Sequence, residues 1–176
     1  MGSSVECYLL PPTADAPNSR LPILVYRNVL PLPRTEETAT QFLTTHRWEK
    51  RGSWGHIGIR HFHPNSHECY GIFKGTSTLL LGKIRTGEGM EVKVKAGDVI
   101  ILPAGTAHSS TQSSLDYKYI GVYPKGCPKW RNETGNRPSE DFLSVIQKVD
   151  LPEDDPVYGN DGPVTHLWHK RSMAKL

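Results

Sequence analysis

The stretch HFHPNSHECYGIFKG, residues 61–75, places three of the chain's eight histidines and a glutamate within eight positions. On an extended strand, residues two apart share a face with Cα atoms about 6.6–6.8 Å apart, a separation two imidazoles can close around one ion. His61 and His63 meet that condition. Pro64-Asn65-Ser66 then turns the chain, and alternation in the next strand puts Glu68, Tyr70 and Ile72 on one face, with Cys69, Gly71 and Phe73 on the other. Glu68 can thus face the same interior as the two histidines. A carboxylate with neutral imidazoles suits a borderline divalent first-row metal, and the lack of thiolate argues against copper(I) or iron–sulfur chemistry. A solvated His-x-His loop would look the same locally, so the reading needs a partner elsewhere in the chain.

That partner stands at residues 97–108, GDVIILPAGTAH, an apolar strand ending in a Pro-x-Gly turn that delivers His108. Here a resemblance becomes specific. Gly55-x5-His61-x-His63-x4-Glu68-x6-Gly75 resembles the first cupin motif at every defined position, and Gly97-x5-Pro103-x-Gly105-x2-His108 resembles the second through its histidine. The two are separated by 21 residues, 76–96. Gln112 stands where the second motif usually ends in Asn, which makes it a candidate substrate contact. The resemblance implies an all-β, RmlC-like jelly-roll barrel with peripheral helices, a homodimer, and a divalent metal held by His61, His63, Glu68 and His108. RLPILVYRNVLP, the H-x-H-x3-H-E arrangement, GVYPKG and LPEDDPVYGNDGPVTHLW are similar to the YjlB-type branch of the cupins.

The rest of the chain fits one such domain over residues 1–176. Residues 1–34 are interrupted by prolines and read as edge strand and wrapping loop. Residues 35–50 read as a helix opened by Thr35 and two glutamates, with Ala39, Phe42, Leu43 and His46 on one stripe. Residues 52–124 carry a period of two, with Ile57, Ile59, His61 and His63 on one face, and contain at least six strands. Residues 125–176 are looser, with a short helix at DFLSVIQKV that puts Phe142, Leu143 and Ile146 on one face.

Composition narrows the partners. The chain has 176 residues, net charge +3 and no run of five like charges, which excludes a nucleic-acid arm. Three scattered cysteines, Cys7, Cys69 and Cys127, form no framework and point to an intracellular protein. No signal segment, membrane span or myristoylation site is expected. The last three residues, Ala-Lys-Leu, are a conservative variant of a peroxisomal address, which applies in a eukaryotic host; otherwise the cytoplasm is expected.

Three imidazoles and one carboxylate leave two positions open on a six-coordinate iron, manganese, nickel or cobalt ion and would saturate a tetrahedral zinc. The function expected is a metal-dependent enzyme acting on a small oxygenated or carboxylated molecule, a dioxygenase ahead of an isomerase, epimerase or decarboxylase. A non-enzymatic binder is the other class. His67 reads either as an acid/base group beside Glu68 or as a solvent-facing loop imidazole, and Tyr70 either as core or as a hydroxyl turned to substrate. In YKYIGVY the expectation is aliphatic-in, tyrosine-out; reversed, Tyr119 and Tyr123 would line the pocket. Asp154-Asp155 has the look of a carboxylate pair for acid/base work but in a proline-bounded loop reads as solvated, and the loop 156–163 reads as a lid on the barrel mouth or, the favoured reading, as a clamp for the tail.

Overall fold

The computed structural model describes residues 5–173, so the terminal Ala-Lys-Leu lies outside the described residues. Nine strands and three short α-helices follow in the order β1 (Glu6–Tyr8), β2 (Ile23–Tyr26), α1 (Glu36–Leu43), β3 (Trp48–Trp54), β4 (Glu68–Lys74), β5 (Thr76–Leu81), β6 (Met90–Lys95), β7 (Val99–Leu102), β8 (His108–Ser113), β9 (Lys118–Pro124), α2 (Leu143–Gln147) and α3 (His169–Met173). The strands form two antiparallel sheets, ordered β1-β2-β7-β4-β9-β3 and β6-β5-β8. This is the expected jelly-roll barrel.

The two sheets have different surroundings, and their sequences follow. In the six-stranded sheet β2 and β7 are continuous apolar runs, ILVY and VIIL, because both faces are covered. Ile23, Val25, Tyr70, Ile72, Ile100 and Leu102 point inward to the smaller sheet. Leu24, Tyr26, Cys69, Val99, Ile101, Ile120 and Val122 point outward under Leu43, Trp48, Val157 and Trp168. The smaller sheet meets solvent on one side, and β6 alternates buried Val92 and Val94 with exposed Glu91, Lys93 and Lys95.

Several boundaries differ from expectation. The helix does not reach residue 50: Thr35 caps it, Thr38 completes the capping box, and it ends at Leu43. Thr44 and Thr45 turn their hydroxyls back to the carbonyls of Thr40 and Gln41, Arg47 takes a left-handed conformation, and Trp48 enters β3. The helix loses to a buried tryptophan that pairs with β9. Ile59 is 69% exposed rather than interior, and Leu143 is 39% exposed, while Phe142 is buried. Residues 139–142 are a separate 3-10 turn before α2, which rotates Leu143 off the shared face. Proline-broken β2 is an interior strand, between β1 and β7. The inward face of β9 carries Tyr119, with Tyr117 buried beside it, and the aliphatic Ile120 and Val122 face out. The tyrosine face is therefore reversed, because helix α1 and the C-terminal segment supply an apolar cover outside the sheet.

Asp155 fastens that outer cover. It is fully buried and accepts from the Tyr26 hydroxyl at 2.5 Å and from the N–H groups of Val157, Tyr158 and Val164 at 2.8, 3.1 and 3.0 Å. The loop 156–163 is thus a clamp, as expected, but Asp155 is not solvated. Asp154 instead approaches the exposed Arg47 guanidinium at 3.7 Å. Asp155→Ala is expected to cost about 3 kcal/mol by orphaning several buried donors. Asp154→Ala should stay within about 0.5 kcal/mol. Urea unfolding of both variants checks the contrast, and equal losses would refute it.

Candidate metal centre

The two motifs are joined by main-chain bonds before any side chain is considered. His61 N–H donates to the His108 carbonyl at 3.2 Å and His108 N–H returns to the His61 carbonyl at 2.8 Å. His61 and Phe62 form isolated bridges with His108 and Glu133 rather than a regular strand, His63 follows without one, and the Phe62 ring points away to meet Phe142 edge-on at 5.1 Å. The Pro103-x-Gly105 turn closes on the same segment, with Gly105 N–H donating to the His63 carbonyl at 2.8 Å. Gly105 has φ +88°, and a Cβ there would fall 2.6 Å from Ile146 Cδ1, so the turn requires glycine.

One ligating nitrogen from each of His61, His63 and His108 lies within 4.8 Å of the other two. All three rings are held by their other nitrogen. His61 Nδ1 faces the Ile59 carbonyl at 2.7 Å, His63 Nδ1 the Arg131 carbonyl at 2.9 Å, and His108 Nδ1 the Thr106 carbonyl at 2.9 Å. A carbonyl only accepts, so each Nδ1 carries a proton and each Nε2 is directed inward. Glu68 Oε2 stands 3.0 Å from His63 Nε2 and 3.3 Å from His108 Nε2. At these distances an imidazole Nε2 and a carboxylate oxygen need a proton or a metal cation between them. His108 Nε2 is buried with no hydrogen-bond partner among the described residues. The nitrogens of His61, His63 and His108 form a cluster that could hold a divalent transition metal, and the Glu68 carboxylate lies beside two of them without belonging to that cluster.

Electrostatics point the same way. Burial and the neighbouring His108 push the His61 pKa down to about 4. Burial opposes ionisation of Glu68, but the facing His63 and His108 hold its carboxyl well below the usual range. Burial depresses His63, and Glu68 more than reverses this, so His63 is raised. A proton shared by His63 and Glu68 thus takes the place that a metal would compete for.

The remaining candidates separate. Tyr70 and Tyr119 lie in the interior beside the histidines, stacked at 3.9 Å, with Tyr70 6.0 Å from the His108 ring. Burial first, then Glu68, raises both phenols, which stay protonated. Tyr123 reaches Glu68 itself, its hydroxyl donating to Oε1 at 2.5 Å. Gln112 is exposed on β8, four residues beyond His108 and paired with Thr78, so it is not part of the group. His67 is neither solvent-facing nor on the metal face. It is 2% exposed, accepts from Ala104 N–H at 2.9 Å through Nδ1 and packs on Trp168 at 4.8 Å. Alternation with Glu68 sends it to the outer side of the sheet, where it lines a cleft of about 870 Å³ with Leu21, Ala104 and Ile146. Trp130 and Arg131, in a loop that carried no sequence signal, reach the site from outside both motifs.

The chain is 29% identical over 173 residues to the Bacillus subtilis protein YjlB, covering 97% of this chain and all of that one. No family model matches it. Among solved structures it is similar to procruciferin, an 11S globulin of Brassica napus, at TM-score 0.41 and 14% identity, over 69% of this chain and 29% of that one. RmlC of Streptococcus suis, solved with dTDP-D-xylose, gives 0.39 and 17% over 69% and 75%, and oxalate decarboxylase OxdC of Bacillus subtilis gives 0.37 and 14% over 68% and 29%.

His61→Ala, His63→Ala and His108→Ala are each expected to lose bound metal, read by elemental analysis of protein prepared without chelators; wild-type stoichiometry in all three would refute the site. A second expectation concerns pH. Burial lowers the His67 pKa to about 4, opposed by the Asp150 carbonyl. Between about pH 6.5 and 4 the unfolded chain holds a proton on this ring that the folded chain does not, so stability falls as pH falls through that window. Against His67→Gln, the wild type should lose on the order of 3 kcal/mol across it. Urea midpoints at pH 7, 5.5 and 4.5 read the difference, and parallel pH profiles would refute it.

Proposed function

We propose that this chain, which has the cupin fold with both motifs meeting at one site, is a metal-dependent enzyme for a small oxygenated or carboxylated molecule, of dioxygenase type. We read residues 1–176 as one such domain. The observation that carries the reading is the convergence of three imidazole nitrogens and the Glu68 carboxylate within an interior whose neighbouring phenols are held protonated. A bound iron or manganese ion would supply Lewis acidity and one-electron exchange with O2 there.

The chain's own residues do the rest. With a six-coordinate ion bound, four donors would leave two positions for exogenous oxygens, and a single carboxylate against a divalent charge would leave the site net positive, which would attract an enolate, catecholate or carboxylate oxygen. Tyr70 and Tyr119 present aromatic walls, and as protonated phenols they can donate a hydrogen bond to a substrate oxygen but do not take a proton from carbon. His67, the remaining imidazole in the first motif, faces away. Isomerisation needs a base to remove and return such a proton. Its poor provision here favours oxygenation over epimerisation.

The metal-loaded protein should consume O2 with a catecholic or enolic substrate, read with an oxygen electrode. Turnover undiminished under strict anaerobiosis would move the reading to isomerase or decarboxylase. Saturable binding with no turnover of any such compound would make the protein a binder.

A further inference from the structure

Both oxygens of Glu68 are accounted for, and by different parts of the chain. Oε2 faces His63 and His108, while Oε1 receives the Tyr123 hydroxyl at 2.5 Å. Turning the carboxylate so that both oxygens met the histidines would break that bond. Tyr123 is itself immobilised. Its ring stacks on Trp130 at 5.0 Å and 13°, and the Arg51 guanidinium lies 5.2 Å from its centroid.

Trp130 belongs to a strap, residues 129–131, tied down at both ends. Asn65 donates from Nδ2 to the Lys129 carbonyl at 3.0 Å and accepts from Arg131 N–H at 2.9 Å. Arg51 grips the residues just before, donating to the Cys127 and Pro128 carbonyls at 2.5 and 2.8 Å. The strap then presents the Arg131 carbonyl to His63 Nδ1. One short segment outside both motifs thus bears on two of the four donors, on His63 directly and on Glu68 through Trp130 and Tyr123.

We propose that Tyr123 is a positioning residue that makes Glu68 a one-oxygen donor, and that the strap 129–131, fastened by Asn65, holds Tyr123 and His63 in place. This rests on the metal reading of the site. It assigns Tyr123 a role in shaping the site rather than in contacting substrate. An ordinary phenol carries its proton at neutral pH, so the bond to a carboxylate is available without any change of state. Partners that orient ligands in this way typically change metal affinity 10–100-fold when removed.

The test uses Co(II), which reports both affinity and coordination, with a competing chelator and the visible spectrum as readouts. Tyr123→Phe is expected to bind Co(II) about 10–100-fold more weakly and to shift the spectrum. Asn65→Ala should weaken binding in the same direction by less, with Asn65→Gln recovering part of the loss. A merely structural role would lower the melting temperature of the metal-free protein without moving the spectrum. Wild-type affinity and spectrum in Tyr123→Phe would overturn the proposal. If that variant does not fold, Asn65→Ala decides, unchanged binding again overturning it. Failure of the wild type to bind Co(II) would instead sink the metal reading, and this inference with it.

Discussion

The paired main-chain bonds between His61 and His108 are the constraint on which the rest depends. Antiparallel residues that exchange both N–H···O bonds sit about 5.5 Å apart at Cα, so their imidazoles meet without any further device, at 4.4 Å between ring centroids. Two segments 47 positions apart in sequence are thereby brought into one cluster. The Pro103-x-Gly105 turn adds a third bond to His63, and the glycine's left-handed backbone lets the turn close where Ile146 leaves no space for a side chain. Fixed spacing in the two motifs is the sequence trace of this closure.

What sequence could show follows from which residues carry local information. That His61, His63 and His108 come together was legible because a two-residue spacing puts His61 and His63 on one side, and glycine and proline mark where the chain must turn back to bring up His108. The tyrosine face of β9 was not legible. Ile120 and Val122 are as apolar as any interior residue, and only the cover of α1, Val157 and Trp168 on the outside makes outward the buried direction for them. A strand buried on both faces has no polar side to betray its orientation. The helix boundary failed for a related reason: residues 44–47 keep a helix-compatible composition, and the pairing of Trp48 with Pro124 takes the chain into a strand instead.

His67 shows how position can mislead. It stands beside Glu68 in a run of imidazoles, which is a reason to associate it with the metal, yet one residue of displacement on a strand is a change of side. Its ring satisfies Ala104 N–H and packs on Trp168, which in turn donates to the Pro22 carbonyl at 3.0 Å. Next to a charged cluster the chain thus places a neutral buried ring, whose lowered basicity keeps a second positive charge from the back of the sheet.

Tyr123, Asn65 and the strap complete the division of labour. The motifs fix where ligand atoms can be, because they fix backbone; they do not fix which oxygen of a carboxylate faces inward or which nitrogen of an imidazole carries its proton. Those choices require hydrogen-bond partners on the far side of each ligand, and such partners can come from any segment that reaches. In this chain the Ile59 and Thr106 carbonyls serve His61 and His108 from two residues away, whereas His63 and Glu68 depend on residues 131 and 123. The locally served pair inherits its orientation from the motif backbone, while the other pair depends on how the segment after β9 packs. Changes in that segment can therefore shift His63 and Glu68 while the motif itself stays intact.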